Sequence, residues 1–526
     1  MTDAFRSSRR DLLRRAGALA ALSIAGATVR ASQGFAAARP KFGSYPFSLG
    51  VASGDPVGDG FVIWTRLAPD PFDRLSVGEE IVPVIWEVAS DARMQKIVRR
   101  GTKLATRDLA HAVHVEVRGL PPGRPYWYRF RVAGSDASAI GQAWTAPELG
   151  APLDRFRFAV ASCQHFEQGY FTAYDYMVKD APQLILHLGD YIYESSWGDP
   201  VRRHDGPEPV TLDEYRDRHA LYKTDAALQR AHAHCPWLVT WDDHEVDNDY
   251  QALESEDWQA PAAFVKRRAA AFQAYYEHMP LRRIAVPRVE EMRLYQRSVF
   301  GDLVNIAMLD NRQYRSPAAC RSKEDGGGQV VTAACKELFE SGRTMLGDEQ
   351  ERWLTGGFAR SKAIWNVIGN GEMFSRLHQK TSQGEEGWWT DDWNGFPSAR
   401  ERVITALARS KMPNPVFVTG DIHSFWVNDV KEDFRNPSSP SVATELVGTS
   451  ITSAGVPYDQ FAALLPGNPH VKFFESRKRG YLLCDASRKT MTTDLRIVEN
   501  VRDPKTPDGS AGRFAIEAGR PGAVVA

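Results

Sequence analysis

The 526-residue sequence predicts an α/β layered domain preceded by a small all-β sandwich, on the strength of three observations. Between residues 45 and 147, short alternating or β-branched runs are separated by Pro/Gly turns, with no helical period between them. From about residue 155, apolar strands alternate with amphipathic runs such as PAAFVKRRAAAFQAYYEHM. Those strands then end, one after another, in Asp, His, Cys, Tyr or Asn.

The chain opens with SSRRDLLRRAGALAALSIAGATVRASQGFAAARP, which has a basic start containing Arg9 and Arg10 and an Ala-rich stretch from about Ala16 to Val29. Ala36, Ala37 and Ala38 offer a small-residue cleavage site. The apolar stretch is too short for an anchor, and Ser-Arg-Arg-Asp-Leu-Leu points to the twin-arginine export machinery. Residues 1–38 therefore read as a removable signal, and the mature protein as periplasmic or secreted with no transmembrane segment. PFSLGVASGDP, GFVIWTRLAP, IVPVIWEVAS and HAVHVEVRGLPPGRPYWYRFRV supply the strands of an immunoglobulin/fibronectin-like sandwich over 45–147. TAPELGAPLDR, rich in Pro and Gly, marks a boundary. Over 155–500, the strands RFRFAVAS, QLILHLGD, CPWLVTWDDH, LVNIAMLDNR, IWNVIGNGE and PVFVTGDIH are apolar without alternation, which implies helices over both faces of a partly parallel sheet. Residues 501–526, rich in Gly, Pro, Arg and Ala, read as a loose tail or strap.

Lys and Arg (65) balance Asp and Glu (66), leaving a net charge of −1. No specific nucleic-acid binding is expected from so neutral a chain, whereas a small anionic substrate held by local charge stays open. Five cysteines leave at least one unpaired. Cys320 and Cys335 flank CRSKEDGGGQVVTAAC and are candidate disulfide partners in an oxidising compartment. The Gly326–Gly328 run lacks the Lys-Ser/Thr of a phosphate-binding loop and reads as a surface loop.

The strand ends carry the chemistry. RFRFAVASCQH ends in Cys163, and LILHLGDYIY ends in Asp190 and Tyr193. WLVTWDDHEVDND ends in Asp242, Asp243, His244, Asp247 and Asn248; VIGNGE ends in Asn370; VFVTGDIHSFW ends in Asp421 and His423. Singly, each has an ordinary explanation: a helix N-cap at Asp190, a core aromatic at Tyr193, an inert thiol at Cys163, a turn at Asn370. Ligands of α/β sheets, however, collect at the carboxyl ends of strands, and several buried carboxylates at one place need a compensating positive charge. Two metal ions about 3.5–4 Å apart, bridged by an Asp, would supply it and suit displacement at phosphorus.

The order Cys163, Gly189-Asp190-x-x-Tyr193, Asp242-Asp243-His244-Glu245, Gly369-Asn370, Gly420-Asp421-x-His423 resembles the metallophosphoesterase pattern. With SLGVASGDP, WTRLAP, LDNRQYR (309–315), DDWNGFP (391–397) and ELVGTSITS (445–453), it more narrowly resembles the PhoD-type alkaline phosphatase/phosphodiesterase family over nearly the whole mature chain. The resemblance implies a metallophosphoesterase-like catalytic domain. It implies Fe3+ held by Cys163, Asp190, Tyr193 and His423, with Asp190 bridging to Ca2+ held by Asp243, Asp421 and Asn370. In related metallophosphoesterases an Asn and a His stand where this chain has Asp243 and Asp421, a departure that favours calcium over zinc or manganese. A metal-bound hydroxide would attack phosphorus in line, His244 would protonate the leaving oxygen, and Arg312 would contact a phosphate oxygen unless it forms a structural salt bridge. Trp241, Trp389 and Trp393 would wall the entrance. The expected activity is hydrolysis of small phosphate mono- and diesters. A phospholipase D-like action on phospholipids, a cell-wall phosphodiester substrate, and a non-catalytic envelope-binding protein with structural metals are the alternatives.

Overall fold

The central strands Leu184–His187, Pro236–Val239, Val304–Met308, Trp365–Asn370 and Pro415–Thr419 are buried on both faces, and the computed structural model, which describes residues 42–288, 291–323, 326–381 and 383–526, supplies the partners. The strands Arg155–Ala161, Leu184–His187 and Pro236–Val239 run parallel, with Ala161, His187 and Val239 in register, inside a ten-stranded mixed sheet. The strands Val304–Met308, Trp365–Asn370, Pro415–Thr419 and Ser441–Val447 run parallel inside a seven-stranded sheet. Phe158, Val160, Leu186 and Leu238 of the first sheet pack on Ile306, Val367, Val418 and Leu446 of the second.

Successive side chains of a strand point to opposite faces, so Ala159, Ile185, Trp237 and Val239 turn outward. There they meet Met177, Tyr215, Leu228 and Phe272 of the helices Ala173–Lys179, Leu212–Lys223, Ala226–His234 and Pro261–His278. Across the molecule, Ile368 and Phe417 meet Leu354 and Phe358 of helix Gly347–Phe358 and Val403 and Leu407 of helix Pro397–Ser410. The result is four layers, helix–sheet–sheet–helix. This corrects the expectation of helices on both faces: the second face of each sheet is covered by the other sheet. An apolar strand reads the same whether a helix or a sheet lies over it. Helix starts are legible locally. Thr211 accepts from Glu214 N while Glu214 returns a bond to the Thr211 amide, a reciprocal cap, and prolines open Pro261–His278 and Pro397–Ser410.

The N-terminal strands form two packed layers. Val82–Ala89, Ile97–Ala105, Pro125–Arg131 and Gly141–Trp144 make a four-stranded sheet whose Val84, Val88 and Phe130 face Phe61, Ile63 and Val113. The facing strands Val51–Val57, Gly60–Arg66 and Ala112–Val117 also close one side of the ten-stranded sheet, with Ser53 paired in parallel to Pro236. From residue 42 onward the chain therefore packs as one unit. The C-terminal stretch is not a loose tail. Asp508–Glu517 and Arg520–Val525 extend the large sheet from its other side, burying Phe514, Ile516 and Ala523. Its Gly, Pro and Arg content hid that alternation. Among the described residues no helix is long and apolar enough to cross a membrane. The twin-arginine signal lies outside the described residues.

Candidate metal centre

The parallel registers bring the expected residues to one edge. In the first sheet, the ends at Ala161, His187 and Val239 lead into Cys163, Asp190 and Asp243; in the second, Asn370 lies opposite Thr419, just before Asp421 and His423. The backbone is unusual at these positions. Cys163 (φ 58°), Asp190 (φ 56°), Asp421 (φ 62°) and His423 (φ 52°) all adopt the left-handed conformation that L-residues rarely take. Such strain persists only where the surroundings enforce it, and it concentrates at functional sites. Gly189 permits the approach: its φ is 116°, and a Cβ there would overlap Asp242.

Five side chains able to bind a metal, those of Cys163, Tyr193, Asp243, His244 and His423, converge around Asp190. Tyr193 Oη donates to Asp190 Oδ2 at 2.8 Å, lies 3.1 Å from His423 Nε2, and accepts from Ser453 Oγ at 2.8 Å. Donor atoms of Cys163, Asp190 and His423 lie within 4.8 Å of one another, as do those of Asp190, Asp243 and His244. Asp190 belongs to both groups. Its Oδ1 is buried without a hydrogen-bond partner, and so is Asp243 Oδ1. Burial, reinforced by the Asp243, Asp242 and Glu245 carboxylates, pushes the Asp190 carboxyl far above its usual range against the pull of His244. Burial and the Asp190 carboxylate likewise push the Cys163 thiol and the Tyr193 phenol up. Three acids that resist ionisation at one point, two of them sharing the Asp190 carboxylate as neighbour, fit a site for multivalent cations, whose charge would turn them into ligands. Thiol, phenol and imidazole on one side suit a transition metal, and carboxylates on the other suit a harder ion.

Glu245 braces this edge. Its carboxylate accepts from the amides of Asp190 (3.1 Å), Tyr191 (2.7 Å) and Asp242 (2.9 Å), and burial pushes its pKa up to about 8.

Two expected residues do other work. Arg312 is wholly buried and surrounded by carboxylates: Glu372 at 2.6 Å, Asp391 at 2.9 Å, Asp242 at 2.5 Å and Asp243 at 3.6 Å. Its guanidinium has no exposed face for a phosphate. It holds Asp243 ionised: despite burial, Arg312 and then His244 keep that carboxyl far below its usual range. Asn370 is also corrected. Its Oδ1 accepts from Asn311 Nδ2 and Trp393 Nε1, both at 3.0 Å, so both lone pairs are engaged within the protein. Asp421 is partly buried and lies outside both donor groups, its backbone oxygen 3.9 Å from Cys163 Sγ. Gly328 is no phosphate cradle: its amide donates to Asp249 Oδ2.

His244 stands between the donors and open space. Its Nδ1 lies 2.8 Å from Glu194 Oε2, and its ring packs 4.1 Å from that of Tyr193. Although burial opposes it, Glu194, Asp243 and Asp190 raise the imidazole pKa well above its ordinary value. The ring lines a cavity of about 320 Å³ together with Trp197, Glu208, Asp247 and Glu256. Glu194 and Trp197 escaped the sequence reading; the one available signal was an acid directly after Tyr193. Trp197 is the aromatic at the mouth, its ring parallel to His423 at 6.4 Å. Trp241, stacked on Phe272 at 4.2 Å, and Trp393 are interior, and Trp389 lies on the strand Glu386–Trp389. Cys320 and Cys335 form a disulfide; Cys163, Cys235 and Cys484 are free and buried.

Comparison with known proteins identifies the family. Residues 158–495 match the PhoD-like phosphatase family, and residues 33–147 match the N-terminal domain of PhoD-like phosphatases. Alkaline phosphatase D of Bacillus subtilis (strain 168) is 43% identical over 98% of this chain and 88% of its own length. A solved structure of PhoD superposes with a TM-score of 0.87 at 42% identity, covering 92% of this chain and 93% of that one.

Proposed function

The chain belongs to the PhoD-like phosphatase family and is a phosphoric ester hydrolase, and from that premise we propose that it is an exported alkaline phosphatase/phosphodiesterase working through a two-metal centre bridged by Asp190. The observation that carries the reading is Asp190 itself, with one oxygen on Tyr193, the other buried and unpaired, and a place in both donor groups. Cys163, Asp190, Tyr193 and His423 would hold iron(III); Asp190 and Asp243, with Asp421, would hold calcium. Bound there, the ions supply Lewis-acid stabilisation of phosphoryl charge and acidify the attacking water. His244, its Nδ1 engaged by Glu194 and its proton held by the surrounding carboxylates, protonates the leaving oxygen from Nε2. Arg312 acts one step back by keeping Asp243 ionised. The two stacked sheets fit a metallophosphoesterase-like domain. Export is supported by the Arg9-Arg10 start of the sequence and by the Cys320–Cys335 disulfide, which suits an oxidising compartment.

The test is metal content and colour alongside rate. Protein from the native host should carry iron and calcium at about one each, with a visible charge-transfer band that Tyr193→Phe removes. Asp190→Asn should lose both ions and hydrolysis while keeping the wild-type circular dichroism. Zinc alone, or full activity in Asp190→Asn, overturns the centre.

One observation favours the phospholipase D-like reading as a second. Among the described residues the cavity beside His244 is lined by five acids and no Lys or Arg. Arg267 pairs with Glu208 and Asp247 and His244 with Glu194, but Glu256 and Asp257 are in no ion pair, which favours a leaving alcohol carrying positive charge. Bis-aryl phosphodiester, mono-aryl phosphate and phosphatidylcholine assayed side by side separate the two; dominant phospholipid cleavage would reverse their order.

A further inference from the structure

The amino ends of the seven-stranded sheet carry a second cavity, of about 480 Å³. The five-residue strand Val304–Met308 separates it from the loop of Arg312, a span of about 17 Å at about 3.3 Å per residue. Part of its lining is apolar: Val299 from the strand Gln296–Phe300, Trp353 from the helix Gly347–Phe358, and Leu149, 83% exposed, from the segment that follows the N-terminal sheets. The charge in the lining is positive. Arg297, Arg360 and Lys362 all contribute, and among the described residues none of them is in an ion pair. The one acid of the lining, Asp302, is already bonded by Arg488 at 2.9 Å.

Arg297 makes the absence of a partner costly. Its guanidinium lies over the Trp353 ring at 5.0 Å, against the backbone of Gly357, and its Nη2 is buried with no hydrogen-bond partner. Beyond burial, the charge felt most strongly there is the like charge of Arg360, and both effects depress the Arg297 pKa. The carboxyl end of helix Gly347–Phe358 offsets only about half a charge. A second orphan lies alongside: Asn305, 4% exposed, donates from Nδ2 to Asn366 at 2.9 Å and leaves Oδ1 without a donor. Folding leaves such groups unmatched only at a cost, and a ligand of the complementary chemistry would relieve it.

We propose that this cavity is a binding site for an organic anion, its flat apolar body over Val299 and Trp353 and its phosphate, sulfonate or carboxylate on Arg297 and Arg360. A hydroxyl or amine of the same ligand would satisfy Asn305 Oδ1. The site is independent of the metal centre and of the activity assigned to it.

Anilinonaphthalene sulfonate, an aromatic anion with an amine, is the probe, read by its fluorescence on the full-length enzyme. It binds the wild type saturably at one site, and high salt weakens it. Arg360→Gln with Lys362→Gln, both on the exposed surface, lowers affinity about tenfold or more and leaves phosphodiester hydrolysis unchanged. Arg297→Gln abolishes binding while retaining the thermal midpoint and the hydrolysis rate. The uncharged analogue phenylnaphthylamine binds the wild type more weakly than the sulfonate does. Three results would each overturn the proposal: no saturable binding by the wild type, equal affinity in the Arg360→Gln/Lys362→Gln variant, or equal affinity for the uncharged analogue.

Discussion

Arg312→Gln separates two roles for one residue. If the side chain contacts phosphate, its loss raises KM and leaves stability alone. The structure puts it at 0% exposure among Asp242, Asp243, Glu372 and Asp391. Removing one partner of a buried ionic network strands the others, at a cost of about 3–5 kcal/mol. An unfolding entropy of about 2 cal/mol/K per residue over a chain of this size makes that about 3–5 °C in Tm. A neutral Gln also withdraws the charge that holds Asp243 ionised against burial, so metal affinity falls with stability. The assay is differential scanning calorimetry of the metal-loaded protein, paired with kcat and KM on a bis-aryl phosphodiester. The expected result is a lower Tm, reduced metal content and a fall in kcat. An unchanged Tm with an isolated rise in KM would refute the buried-network account and restore the phosphate contact.

Three further outcomes are expected. Glu194→Gln removes the largest opposing charge that keeps His244 protonated, so the imidazole loses its proton at lower pH. The alkaline limb of the kcat/KM profile moves down, and kcat falls by up to about 10²-fold; a pH profile identical to wild type contradicts the pairing. Lys223 is buried over Trp64 at 4.5 Å and its amine donates to Tyr191 Oη at 3.1 Å; burial pushes its pKa down from 10.5 to about 7. Between those values the unfolded chain holds the extra proton, so this group's contribution to stability rises with pH across that window. Denaturant titrations of Lys223→Met should show that slope flattened, and an unaltered slope counts against it. Reducing the Cys320–Cys335 disulfide, which closes a separation of 15 residues, should cost about 3 kcal/mol without changing hydrolysis of a small diester. A melting curve insensitive to reductant would show that the bond does not carry this stability.

The chemistry of the strand ends was legible because it is local. Cys163, Asp190, Tyr193, Asp243 and His423 each follow an apolar run directly, and parallel register alone brings such ends together. Capping at Thr211 and the prolines at Pro261 and Pro397 are local too. What faces those strands was not legible, because an apolar face is equally satisfied by a helix or a sheet. Nor were the fates of Arg312 and Asn370. Arg312 meets Asp242 across 70 positions and Asp391 across 79, and Asn370 meets Asn311 across 59. Motif spacing specifies the residue type at such a position but not which distant side chains will occupy its hydrogen bonds. Trp197 and Glu194 belong to the same class, since a role at the mouth of the site depends on what else lies within a few ångströms. Side-chain alternation and short-range pattern in the sequence place particular donors at the ends of particular strands. Which of them remain unpaired depends on the folded arrangement, because hydrogen bonds and ion pairs are satisfied by proximity in space.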